Sequence, residues 1–489
     1  MARPKTGKCA PKPGSAAPGP DGTGLADTLA RMSTAARAER APTRLPARTV
    51  ARYATGSLGT GGFATLPGLV LAYFLTDNLG VAAILAGTIV TLAKVWDVVI
   101  DPVIGAWSDR SLIRTGSRKR FMLIGAFTLP VFFALTFAVP PAFGPVAGVI
   151  CVLLAFLATA TSFSLFQVPY IALPAELTSS YDERTRLLSW RVIALTVTIL
   201  LFGGGGPELR RITGDPVIGY LVMGVVAGIV IGVGMLIAAR TADDAVAAPA
   251  TVEHVGIRAQ YAAGFAAVRR SQPFRALLGT YLLQALATGT MLAGAQYVAT
   301  WVMRSESAVT LLFIALVAPA VIATPGWERL SRRIGKERAF RIASTIFLVA
   351  SASIVLALWM PGSWIYASVA AAGVAYAGMQ ALPMAMLPDV ISHDERDSGP
   401  GNAGTFTGMW TASETVGFAL GTTIVAVVLA VTGYISRTAG AASAVVQPGS
   451  AVTGIVLIFS VVPAVLMLLS LATLARYRLR RSDIDGADR

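Results

Sequence analysis

The chain has 489 residues, 55% of them hydrophobic and 13% charged, with a net charge of +14. Soluble domains are about 25% charged, so this composition, with a mean hydropathy of +0.66, excludes a soluble globular protein and predicts an integral membrane protein. The basic residues lie in the tails and short loops rather than in one stripe, as expected of loops flanking membrane spans, and no nucleic-acid partner is implied.

Residues 1–50 are dominated by Pro, Gly, Ala and Arg and contain no apolar run of the kind a signal peptide needs. They are expected to form a disordered basic tail on the cytoplasmic face. A span needs about 20 mostly apolar residues. Twelve such stretches follow, near 53–76, 81–107, 120–139, 146–173, 187–206, 216–239, 274–302, 307–325, 339–360, 364–387, 403–433 and 452–475. The fifth is expected to break early, at the GGGGP of 203–207. Loops after spans two, four, eight and ten hold Arg110 to Arg120, Arg184 and Arg186, Arg329 to Arg338, and Arg396, whereas those after three and nine carry no charge. Even-numbered loops and both termini are therefore expected to be cytoplasmic, in a multi-pass protein of the cytoplasmic membrane with the lipid bilayer as its surroundings.

The polar stretch 240–273, with the mixed-charge helical segment Gly256 to Arg270, reads as a central cytoplasmic loop. It separates an N-terminal bundle, 51–239, from a C-terminal bundle, 274–476, and a short cytoplasmic tail, 477–489, closes the chain. The bundles repeat each other. Asp109, Arg110 and Gly116 after span two are matched in spacing by Glu328, Arg329 and Gly335 after span eight. VPYIALPAE at 168–176 is matched by LPMAMLPD at 382–389, and Asp182-Glu183-Arg184 by Asp394-Glu395-Arg396. The predicted fold is an all-α membrane protein of twelve transmembrane helices in two pseudo-symmetric six-helix bundles. Such halves suit a rocking transporter with its site between them near the bilayer midplane.

Two carboxylates interrupt span two. Asp97 and Asp101 are four residues apart and project from one helix face. An ionisable group at membrane depth costs at least about 2.5 kcal/mol on insertion scales, so it lines a pathway or pairs with a partner. Glu414 lies inside span eleven and is a further proton-carrying candidate. Gln167, Tyr170 and Trp410 are candidate substrate contacts, because sugar sites combine aromatic platforms with amides and hydroxyls. The acid, arginine and glycine of the two repeated loops are expected to dock on neighbouring helix ends and latch the cytoplasmic side. Cys9 and Cys151 make no disulfide framework, and with only His254 and His393 besides, no haem, zinc or other cofactor is expected.

The segments WDVVIDPVIGAWSDR, QVPYIALPAELTSSYDERTRLLSWR and PDVISHDER…GTFTGMWTASETVGFALG resemble the glycoside–pentoside–hexuronide:cation symporters of the major facilitator superfamily, from Tyr53 to about Arg476. The resemblance implies the major facilitator fold, a sugar-like small-molecule substrate and cation coupling. It also implies that Asp97 and Asp101 take part in sugar and cation binding, and that Arg191 faces the same cavity. From its place in the span, Arg191 would either bind a carboxylated substrate or the aspartates, or anchor the cytoplasmic end of span five. The chain has Gly61 and Gln167 where a member of the family carries an aspartate in each case, other members also carrying glutamine at the second, and Thr415 where a lysine is frequent. A sodium site at Asp97 and Asp101 would thus be half present, which favours a proton over sodium as coupling ion. Asp97 is assigned mainly to substrate and Asp101 mainly to the ion, since the missing N–H of the adjacent Pro102 frees a backbone carbonyl one turn earlier as an extra ligand. The expected activity is that of a secondary active symporter, monomeric and not an enzyme. The alternatives are an uncoupled facilitator or a carrier of a lysolipid-like amphipathic substrate.

Overall fold

In the computed structural model twelve apolar helices among the described residues are long enough to cross a membrane. They are α1 (Ala47–Asp77), α2 (Ala83–Thr115), α3 (Lys119–Phe137), α4 (Gly144–Leu177), α5 (Tyr181–Arg211), α6 (Pro216–Ala239), α7 (Gln272–Val302), α8 (Ala308–Ile334), α9 (Lys336–Leu358), α10 (Ile365–Ser398), α11 (Ala403–Val431) and α12 (Gly449–Leu474). The structure describes residues 44–178, 181–244, 262, 265–266, 268–398, 403–439 and 446–479. Most of the expected N-terminal tail and central loop, and the last ten residues, lie outside these. The chain divides into residues 1–45 and residues 46–489, and all twelve helices belong to the second unit.

The pairing of helices shows the repeat. In the first half α1 packs on α5 and α6, α2 on α4, and α3 on α4 and α6. In the second half α7 packs on α11 and α12, α8 on α10, and α9 on α10 and α12. Each pair in one half has its counterpart six helices on. Between the halves the contacts are α1 with α7, α2 with α11 and α5 with α8. The last two pairs exchange under the same relation, as a two-fold repeat requires. Apolar side chains such as Phe127, Leu154, Ile322 and Leu468 point outward and are exposed, which a lipid-facing surface explains.

Several helices outrun their apolar stretches. α1 starts at Ala47 rather than 53, within what was expected to be tail. α2, α8 and α10 continue to Thr115, Ile334 and Ser398, so Arg110, Glu328 and Arg329 stand on helix rather than loop. Gly116, with φ of 70°, ends α2 in the left-handed conformation that favours glycine. The fifth helix does not break at GGGGP but runs on to Arg211. Its glycines serve packing instead: a Cβ on Gly203 would collide with the ring of Phe313 on α8. Proline and glycine are tolerated there because neighbouring helices support the backbone.

Candidate functional site

The two aspartates of α2 differ in their surroundings. Lys94, one turn earlier on the same helix, donates to Asp97 Oδ2 at 3.1 Å. Its ammonium also lies 5.1 Å from the ring centre of Phe63 on α1, a cation–π contact that fixes the lysine. Asp97 is buried, and its Oδ1 has no partner. Asp101 is half-buried and faces Ser164 of α4. No cation comes within ion-pair distance of it among the described residues, and its Oδ1 is buried without a partner. One carboxylate of the pair is thus ion-paired with Lys94, and the other feels that charge only from farther away.

Around them the first half supplies Gln167 of α4, which accepts from Thr60 Oγ1 of α1 at 2.8 Å. Gly61 is buried against α5, and a Cβ there would stand 2.8 Å from Thr198 Cγ2. The helix-one position expected to hold an aspartate therefore has no room for one. Tyr170 is fully buried, stacked on Tyr53 at 4.6 Å and on Phe166 at 5.1 Å, and its hydroxyl donates to the Tyr53 carbonyl at 2.8 Å. Arg191 lies over the Tyr170 ring at 5.3 Å with its Nε buried and unpartnered. It forms no ion pair with Asp97 or Asp101, and the structure brings it to the aromatic cluster rather than to the aspartates.

A second polar cluster lies in the other half. Trp410 of α11 stacks on Tyr281 of α7 at 4.0 Å, with its indole nitrogen buried and unpartnered. The Tyr281 hydroxyl donates to Gln380 Oε1 of α10 at 3.3 Å and faces Glu414, while Gln380 Nε2 donates to Tyr376 at 2.7 Å. Thr415 keeps to its own helix, donating to the Thr411 carbonyl. The clusters are linked through α2 and α11, which meet where Gly87 faces Ala426 and where Thr91 donates to the Ala419 carbonyl at 3.4 Å. Extending that antiparallel register puts Glu414 about level with the turn between Asp97 and Asp101.

Of the side chains expected to form the cytoplasmic latch, none among the described residues makes an ion pair between the halves. Arg110 and Arg329 are exposed, Glu328 pairs with Arg332 one turn along its own helix, and Gly116 and Gly335 have open space around them. The Asp109 side chain lies outside the described residues. Among the described residues the ion pairs at this end stay within each half. Arg118 Nε binds Glu176 at 2.6 Å, and Lys336 Nζ binds Asp389 at 2.6 Å. Both pairs tie the loop after the second helix of a half to the end of its fourth. The halves are joined at the opposite end. There Asp77 pairs with Arg437 at 3.0 Å and Arg210 with Glu306 at 3.5 Å, and Thr310 donates to Glu208 at 2.9 Å. Sequence reasoning missed Lys94, although its spacing of three before Asp97 was a readable signal. Asp77, Arg210, Glu306 and Arg437 carried none, because their partners are distant in sequence.

Residues 52–481 match the family model described as MFS/sugar transport protein. The chain belongs to that family. It is a multi-pass membrane transporter of the major facilitator superfamily, within the glycoside–pentoside–hexuronide:cation symporters, and not an enzyme. It is 26% identical to the putative glycoside/cation symporter YagG of Escherichia coli, across 86% of this chain and 89% of the relative. It is 23% identical to the glucuronide carrier protein homologue of Escherichia coli, across 88% and 92%. Among solved structures, a mutant of the nucleoside transporter NupG shares the fold with a TM-score of 0.64 at 13% identity, covering 87% of this chain and 99% of that one.

Proposed function

We propose that the protein is a secondary active symporter that moves a sugar or glycoside across the cytoplasmic membrane with a proton, working as a monomer. The similarity to a putative glycoside/cation symporter and to a glucuronide carrier homologue supports the substrate class and cation coupling. The observation that carries the ionic assignment is the asymmetry of α2. Lys94 already compensates Asp97, so Asp97 is left as a fixed hydrogen-bond acceptor for substrate. Asp101 has no such cation and is the group whose charge changes during the cycle. A proton neutralises it without the several oxygen ligands that a sodium ion would need.

The positive loops put the even-loop end and both termini in the cytoplasm. The ion pairs between the halves then lie on the outside, as an inward-facing arrangement would have them. Substrate and proton would leave toward the cytoplasm from Asp97, Gln167 and Trp410, with Glu414 on the opposing helix as a second proton carrier. The test is uptake into proteoliposomes of labelled neutral sugars, glycosides and hexuronides under an imposed proton or sodium gradient. One class should accumulate under an inward proton gradient alone. Accumulation of no sugar, with transport of a lysolipid instead, would remove the substrate reading, and accumulation driven only by sodium would remove the proton.

A further inference from the structure

We propose that residues 434–439, directly after α11, form a strap that closes the outer mouth of the transporter, with Asp77 as its anchor. The inference rests on the proposed membrane orientation and adds a gate to it. Asp77 is the last residue of α1, and its side chain is 2% exposed. Three donors converge on its carboxylate: Thr76 Oγ1 at 2.7 Å, Tyr434 hydroxyl at 2.6 Å and Arg437 Nε at 3.0 Å. Two of the three come from the other half of the molecule. The backbone joins as well, since Arg437 N donates to the Thr76 carbonyl at 2.9 Å and Ala439 N to the Asn78 carbonyl at 3.0 Å. Between them Leu79 and Thr438 form an isolated antiparallel bridge, so the strap lies on the α1–α2 turn as a single strand step.

Further contacts hold the strap from the side. Arg437 Nη2 donates to the Tyr73 hydroxyl at 2.9 Å, and its guanidinium lies over Trp301 at 5.2 Å. Trp301 Nε1 donates to the Tyr434 hydroxyl at 2.9 Å. Glu306 faces Arg437 at 3.8 Å and Arg210 of α5 at 3.5 Å, so one carboxylate bridges both cross-half cations. Thr76 Oγ1 and the Tyr297 hydroxyl share a 2.9 Å hydrogen bond between α1 and α7.

Two facts make this a gate rather than a permanent joint. An alternating-access transporter opens each end in turn, so a contact between halves at one end must break in every cycle. The ion pairs of Asp77 with Arg437 and of Arg210 with Glu306 both cross the halves at this end, so this end carries closing interactions of the present state. Water can take over the charges of Asp77 and Arg437 when the mouth opens, which makes the latch reversible where an apolar seam would not be. The strap is also continuous with α11, which bears Trp410 and Glu414, and its anchor with α1, which bears Thr60 and Phe63. Movement at either polar cluster therefore acts on the latch through a single helix.

The test needs no knowledge of the substrate. With Cys9 and Cys151 replaced by serine, spin labels on Thr213→Cys, in the α5–α6 turn, and Val431→Cys, at the end of α11, report the distance between halves at this end by double electron–electron resonance in lipid nanodiscs. Asp77→Asn and Arg437→Gln should each raise the long-distance, mouth-open fraction by about tenfold, the change expected from losing a charge-assisted hydrogen bond. Tyr434→Phe, which deletes a single hydroxyl, should shift it the same way by less. Thermal unfolding of each variant separates a released gate from a damaged bundle. Unchanged distance distributions in the charge variants, or a shift seen only where the protein has unfolded, would overturn the proposal. A failure to transport any sugar would leave it standing.

Discussion

Replacing Lys94 by methionine keeps the stem that lies over Phe63 and removes the ammonium from Asp97. The pair is close, 3.1 Å, and its side chains are 27% and 12% exposed. Stranding one member of a fully buried pair costs about 3–5 kcal/mol, while an exposed pair is worth about 0–1 kcal/mol. A pair between these limits should lose about 2 kcal/mol, a factor of about 30 in equilibrium. Much of that loss is the charge left on Asp97 beside Asp101. Asp97→Asn in the Lys94→Met background should therefore recover most of it. A double-mutant cycle on reversible unfolding in mixed detergent micelles measures the coupling directly. A coupling below about 0.5 kcal/mol, within the error of additivity, would refute the claim that Lys94 compensates Asp97. It would also remove the reason for assigning the two aspartates different roles.

The pairs Arg118–Glu176 and Lys336–Asp389 are expected to hold each half rather than gate it. Arg118→Ala should lower the unfolding midpoint markedly, by the several degrees that about 3 kcal/mol implies, because it strands Glu176 with its side chain only 10% exposed. An unchanged midpoint would contradict this. Gly87→Leu should separate α2 from α11, since even a Cβ at Gly87 collides with Ala426. Labelling of Thr91→Cys by a membrane-impermeant maleimide added outside should then rise severalfold, and equal labelling with and without the leucine would show that the seam tolerates the side chain.

The fold was legible because its main determinant is local. Twelve apolar stretches reach the right helix count, and the repeated motifs, which indicate the two-fold repeat, end at Glu176 and Asp389 in symmetry-related ion pairs. Helix ends were less legible. Hydropathy stops at the membrane, but the helix continues into water where spaced charges such as Glu328 with Arg332 and Glu337 with Arg341 support it. The GGGGP of α5 reads locally as a break, and only the position of Phe313 on a distant helix shows why the glycines are there. In the site, the aspartates stand out because charge in an apolar run is conspicuous. Their inequality depends on Lys94, in the same turn of sequence, whereas the burial of Tyr170 and the Asp77 latch depend on residues more than a hundred positions away.

The central claim is that Asp101 carries the coupling ion, and Asp101→Asn tests it most directly. In proteoliposomes the variant should lose proton-driven accumulation of the sugar while still exchanging external label for internal sugar, because an uncharged residue 101 mimics the loaded carrier in both orientations. Accumulation at the level of the unaltered protein would contradict the account.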